Sequence, residues 1–219
     1  MALPSAAIAV VPDTVSDADA ATLPVAGLTA LYCLERCDRL LASRVLVTGA
    51  SGGVGWFACQ LGRLMGADVV GLLRRDDQAA LVRTLGIAGV VVSADGSGLE
   101  PYGRFRAVID GVGGAGLGPL LARLDEGGRA ILYGVSAGAA TEFAIRDLMA
   151  TGDGRIEGFH LYRESEHEAA RKGLDRLLGL LATGRLRTLV SVTAPWRDVG
   201  AVAARLIERD FPGKAVLTL

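Results

Sequence analysis

Short continuous apolar runs alternate along the chain with stretches in which apolar residues recur every third or fourth position. The runs are "RVLVTG" (44–49), "DVVGLLRR" (68–75), "GVVVS" (89–93), "RAVIDGV" (106–112), "GRAILYGV" (128–135) and "GRIEGFHLY" (154–162). They predict strands covered on both faces. Between them, "GVGWFACQLGRLMG", "DQAALVRTLG", "LGPLLARL" and "FAIRDLMA" predict helices, the first two ending on Gly66 and Gly86. Strand and helix alternate with short Gly/Asp turns. This rhythm predicts an α/β fold, a doubly wound parallel sheet of the Rossmann type with strand order 3-2-1-4-5-6.

The two ends of the chain depart from this rhythm. "AAIAVVPDTV" predicts a short strand closed by Pro12, and "SDAD" (16–19) a capping box that opens a helix through "AATLPVAGLTALYCLERC", broken near Pro24. "EHEAARKGLDRLLGLLATG" predicts an amphipathic helix ended by Gly184. "LRTLVSVTAP", "WRDVGAVAARLIER" and "GKAVLTL" then predict strand, helix and strand outside the main sheet.

Composition narrows the function classes. The chain has 219 residues with a formal net charge of −1, and its basic residues are scattered, which argues against a nucleic-acid surface. Nothing resembles a signal peptide, and the glycines at 49–55 break the uncharged stretch 45–62, so no membrane span is predicted. Cys33, Cys37 and Cys59 are too few and His160 and His167 too distant for a metal site. Buried reduced thiols of a cytoplasmic protein are the expectation. His160 is expected in a strand and His167 on a solvated helix face. Tyr32, Tyr102, Tyr133 and Tyr162 are expected to pack.

The chemistry concentrates in "GASGGVG" (49–55). Gly52 and Gly53 let the backbone approach a pyrophosphate, and Gly55 lets the helix lie close on the first strand. The free N–H groups of the helix then face the phosphates. At the end of the second strand an acid suits a ribose hydroxyl and an arginine a 2′-phosphate. The sequence offers Arg74 and Arg75 followed by Asp76 and Asp77. The arginines favour NADPH over NADH, although either can instead pair with a neighbouring acid. No catalytic triad or carboxylate pair is visible, and hydride transfer needs little acid–base help from the protein.

With those residues in view, the chain resembles the medium-chain dehydrogenase/reductase superfamily, in its zinc-free quinone oxidoreductase branch. "TLPVAGLTAL" is similar to the helix linking that family's two domains, and "VLVTGASGGVG" to its phosphate loop. "AVIDGVGG" and "GGRAILYGVSAG" are similar to its fourth strand and to its fifth strand with the nicotinamide loop. "GRLRTLV" and "FPGKAVLTL" are similar to its ending. The resemblance implies a Rossmann domain over 26–186, with 1–25 and 187–219 as a remnant of a GroES-like substrate domain, whose last strand and linking helix alone remain. It implies that Ser51, Gly52, Gly53 and Val54 hold the pyrophosphate and Arg74 or Arg75 the adenosine phosphate. Gly134, Val135, Ser136, Phe159 and Leu161 would pass the nicotinamide, and Thr29, the one candidate for a catalytic role, would lie near its ring. A helix threonine bonding its own backbone is the equal alternative for Thr29. Ala94 and Phe211 stand where relatives carry an aromatic and a polar residue.

The expected function is that of an NADPH-dependent, zinc-independent reductase of a quinone, activated alkene or carbonyl, with an abbreviated pocket that a partner protein could complete. Two readings stay beside it: a Rossmann protein doing non-redox, sensing or scaffold work, and a fragment of a longer reductase. The strand at 155–162 is the expected outer edge of the sheet, and the resemblance implies a homodimer paired through it. The tail strands are expected to gather with "AAIAVV" into a small sheet.

Overall fold

Six strands form one parallel sheet in the computed structural model, which describes residues 4–167 and 170–219. They are β1 (Arg44–Thr48), β2 (Asp68–Leu73), β3 (Gly89–Val92), β4 (Phe105–Asp110), β5 (Leu124–Leu132) and β6 (Arg155–Gly158), in the order β3-β2-β1-β4-β5-β6. This is the order expected from the sequence. The helices are α1 (Asp17–Ala20), α2 (Leu28–Glu35), α3 (Gly53–Leu64), α4 (Ala79–Arg83), α5 (Leu117–Leu121), α6 (Ile145–Met149), α7 (Leu161–His167), α8 (Ala170–Ala182) and α9 (Val199–Ile207). A second sheet holds β7 (Val190–Pro195) and β8 (Lys214–Thr218), parallel to each other.

Strand periodicity divides the core. Val45, Val47, Val69, Ala107 and Ile109 point into a cluster with α2, α3 and α8, whereas Leu46, Val70 and Val108 point into one with α5. Both faces of the sheet are covered, which is why its strands read as unbroken apolar runs. Phe105 joins the α5 cluster although Ala107 does not, because the register of β4 against β5 shifts between them. Helix α3 lies close on β2, where a Cβ on Gly62 would sit 2.9 Å from Val69 Cγ2. Gly66, Gly86 and Gly184 take positive φ where helices end, as their positions in the sequence predict.

Three expectations are corrected. "AAIAVV" is no strand: Ser5–Ala7 form a 3-10 turn, and Ile8, Val10 and Val11 are exposed without a neighbouring strand to pair with. The tail sheet therefore has two strands among the described residues. The outer strand of the main sheet ends at Gly158, not Tyr162. Phe159 N–H still bonds the Leu132 carbonyl (2.8 Å), but the His160 carbonyl already accepts from Arg163 and Glu164, turning the chain into α7. His160 thus starts a helix, and the side chain of His167 lies outside the described residues. Around Pro24, which has no N–H to donate, the chain takes a wide π turn over Leu23–Gly27 before α2.

The capping box at 16–19 forms in part. Asp19 N–H bonds Ser16 Oγ (3.1 Å), while the Asp19 carboxylate turns to the hydroxyls of Ser16 (2.6 Å) and Thr188. The Thr188 bond ties α1 to the approach to β7. Gln60 on α3 secures the same segment, its amide donating to the Arg187 carbonyl and accepting from the Arg187 N–H, each at 2.9 Å. Among the described residues no helix is long and apolar enough to cross a membrane.

Candidate dinucleotide-binding site

A cavity of about 350 Å³ opens at the carboxyl ends of β1, β2 and β4, where the two halves of the sheet diverge. Its floor is the turn from β1 into α3. Gly49 takes φ +59°, a conformation that suits glycine, and its carbonyl accepts the Gly52 N–H (2.8 Å). A Cβ on Gly55 would lie 2.2 Å from that carbonyl oxygen, so no side chain fits there. The first N–H groups of α3, a helix of twelve residues, have no intrahelical acceptors and bear its positive end. This is a cradle for phosphate, and a nicotinamide dinucleotide fits its donor set.

The sequence-predicted residues distribute unevenly around it. Ser51, Gly52, Gly53, Val54, Arg74, Arg75 and Ser136 all line the cavity, as do Ala94 and Phe211. Gly134 and Val135 belong to the same loop as Ser136 but not to the lining, and Val135 is 60% exposed. Phe159 and Leu161 lie one strand further out and are not part of the lining. Phe159 is buried beneath the Arg36 guanidinium, 5.3 Å from its ring, and Arg36 also pairs with Glu157 (3.8 Å) and Glu164. Thr29 is buried on α2, away from the lining.

Past the end of β2, Arg75 turns to Asp77 (Nε to Oδ1, 3.1 Å; the second pair, 2.5 Å), which holds the Asp77 carboxyl below its ordinary range. Gln78, in the same turn, accepts the Ser51 hydroxyl and so ties this end to the phosphate turn. Ser93 begins the far wall, where Leu117 and Leu120 present an apolar surface. Asp95 beside it falls to about 2, held by the Ser97 N–H and the Ser93 hydroxyl.

At the other end, Asp110 is 1% exposed and fully engaged. It accepts the Thr48 hydroxyl (2.6 Å) and the Gly113 N–H (2.8 Å), joining the ends of β1 and β4. Tyr133 lines the cavity and lies flat on Gly111, where a Cβ would meet its ring at 2.4 Å. Burial pushes the Tyr133 phenol up, so it keeps its proton and makes a poor acid.

Sequence reasoning named Phe211 but missed the strap that carries it. Residues 208–213 follow α9 and cross the mouth, with Arg209, Phe211, Pro212 and Gly213 lining it. Arg209 donates to the Ser136 carbonyl and accepts from Arg75 at its own carbonyl (3.5 Å). Gly213 N–H bonds the Ser51 carbonyl (2.8 Å), and the Lys214 stem lies over Gly53, its Cδ 2.5 Å from where a Cβ would be. Arg209 has φ +58°, uncommon for a side-chain-bearing residue, and nothing in "RLIERDFPG" announces it.

Residues 53–177 match the family model for zinc-binding dehydrogenases. Acryloyl-coenzyme A reductase of Metallosphaera sedula is 28% identical over 212 residues, covering 95% of this chain and 60% of that protein. A chloroplast envelope quinone oxidoreductase homolog of Arabidopsis thaliana is 27% identical, covering 94% of this chain and 63% of its own length. A mycobacterial protein in complex with NADPH superimposes with TM-score 0.88 at 26% identity, over 99% of this chain and 69% of that one. The chain thus spans about three fifths of the length of the two sequence relatives. Among the described residues no three His, Cys, Asp or Glu side chains gather to hold a metal ion. Cys33, Cys37 and Cys59 are free and buried, and the Cys37 thiol donates to the Cys33 carbonyl (3.4 Å).

Proposed function

The chain belongs to the zinc-binding dehydrogenase family of the medium-chain dehydrogenase/reductase superfamily, and from that premise we propose that it is an NADPH-dependent, zinc-independent reductase of an activated alkene, quinone or carbonyl. The observation that carries this reading is the glycine cradle at the start of α3, where Gly55 meets the Gly49 carbonyl with no room for a side chain. The bound nicotinamide supplies the hydride. The chain's own residues bind and orient. N–H groups of Gly53 and Val54 hold the pyrophosphate, and Arg74 or Arg75 the adenosine phosphate, while Arg209 ties the strap to the Ser136 loop. The loop carrying Gly134, Val135 and Ser136 backs the nicotinamide ring.

Arg74 and Arg75 at the adenosine end support NADPH over NADH, as does the NADPH complex of the mycobacterial relative. The names of the acryloyl-coenzyme A reductase and the quinone oxidoreductase homolog support a conjugated acceptor as substrate. NADPH oxidation followed on addition of a quinone and enal panel tests the reading. Turnover that weakens in Arg209→Ala supports it. Saturable cofactor binding with no turnover across the panel favours a sensing or scaffold role. Val135, within the loop assigned to the nicotinamide, is exposed. A partner protein seated over that exposed end would complete the substrate wall.

We also propose that two copies pair through β6. Its outer edge carries no strand among the described residues. In "RIEG" a two-fold axis at Ile156 sets Arg155 opposite Glu157 of the partner subunit, so the strand is complementary to itself.

A further inference from the structure

At the adenosine end, three of the five N–H donors of Arg75 are directed at the chain's own groups. Its Nε and one terminal nitrogen donate to the two carboxylate oxygens of Asp77, at 3.1 and 2.5 Å, and its other terminal nitrogen reaches the Arg209 carbonyl at 3.5 Å. Every nitrogen of the fork that lines the cavity is directed at the chain's own groups. The pair stands at the surface, its side chains 56% and 55% exposed, so it is an exchangeable contact and a doubly charged phosphate can displace it. The turn that carries both residues is anchored by Gln78 on Ser51, so the two charges stay at the adenosine end whichever partner Arg75 takes.

We propose that Asp77 is a selectivity residue: by holding Arg75, it lowers the chain's preference for a dinucleotide with a 2′-phosphate over one with a free 2′-hydroxyl. The proposal rests on reading the cavity as a dinucleotide site. A 2′-phosphate competes with the Asp77 carboxylate for the charge and the donors of Arg75. A 2′-hydroxyl needs no guanidinium and leaves the pair undisturbed. The ion pair therefore opposes one ligand and not the other. It answers the ambiguity of "RRDD" in the sequence: one arginine is committed to an acid, and Arg74 stands beside it on the cavity wall.

The test is calorimetric titration of NADPH and NADH into the full chain, its Asp77→Asn and Arg75→Gln variants, and the double variant. The expected result is that Asp77→Asn tightens NADPH relative to NADH by up to about fivefold, the upper end of what an exposed ion pair commands. In the Arg75→Gln background the same change should shift the ratio little, since the arginine it releases is gone. An unchanged ratio in Asp77→Asn overturns the proposal. So does an equal rise in the Arg75→Gln background, which would make Asp77 a plain repulsive charge acting without Arg75. If the unaltered chain binds neither dinucleotide, the reading of the cavity itself fails, and the proposal with it.

Discussion

A Cβ on Gly55 would sit 2.2 Å from the carbonyl oxygen of Gly49, and 2.8 Å from Ala50 Cα. Helix α3 can start where it does only because neither contact exists. Both neighbours are backbone, so neither can swing aside. Gly55→Ala should destabilise the chain by roughly 3 kcal/mol, at the upper end of overpacking effects. In a chain of this size that lowers the melting temperature by about 6–12 °C. A thermal melt showing Gly55→Ala within a degree of the unaltered chain would mean that the turn is not packed as described.

Gln60 fastens the second sheet to the first. Gln60→Leu removes the acceptor of the Arg187 N–H, whereas the Arg187 carbonyl keeps its bond from Trp56 Nε1 (2.8 Å). The bond is part-buried, so losing it costs about 1 kcal/mol. Hydrogen exchange should quicken at Arg187 and Thr188 and along β7, and stay unchanged in β1 and β4. Uniform quickening across the chain would contradict the local account.

The three thiols give a pH dependence. Burial pushes Cys37 and Cys59 up to about 12 from an ordinary 9.0, and Cys33 in the same direction. The folded chain thus keeps these protons to a higher pH than the unfolded one. The stability they contribute is intact below pH 9 and is lost as pH rises towards about 12. A thiol reagent at pH 8 should label none of them until denaturant is added. Stoichiometric labelling of the native chain would contradict their burial.

How much of this was legible beforehand depended on whether the cause was local. The main sheet and its order followed from apolar runs separated by short turns, and the phosphate turn from glycines whose spacing is itself the geometry. "AAIAVV" misled because an apolar run specifies a strand only where another strand lies beside it, and Ile8 and Val10 have none. Phe159 lies one residue beyond the end of β6 and is buried in the main apolar cluster beneath Arg36, contacts distant in sequence. The strap was invisible for the same reason. Arg209 matters through Ser136 and Arg75, residues 73 and 134 positions away. The commitment of Arg75 to Asp77, by contrast, stood open in "RRDD" as one of two outcomes.

Pairing through β6 has a charge signature. In the register centred on Ile156, Arg155→Glu sets like charges opposite each other across the interface, twice per dimer. Light scattering at micromolar concentration should report a dimer for the unaltered chain and a shift towards monomer for Arg155→Glu. A monomer in the unaltered chain would refute the interface.

The cavity above the turn from β1 into α3 is expected to hold a nicotinamide dinucleotide. Isothermal titration of the unaltered chain with NADPH, and separately with NADH, tests it before any substrate is known. Saturable binding of one dinucleotide per chain is expected, NADPH the tighter. Absence of heat and of any melting-temperature rise with either dinucleotide at millimolar concentration would contradict it.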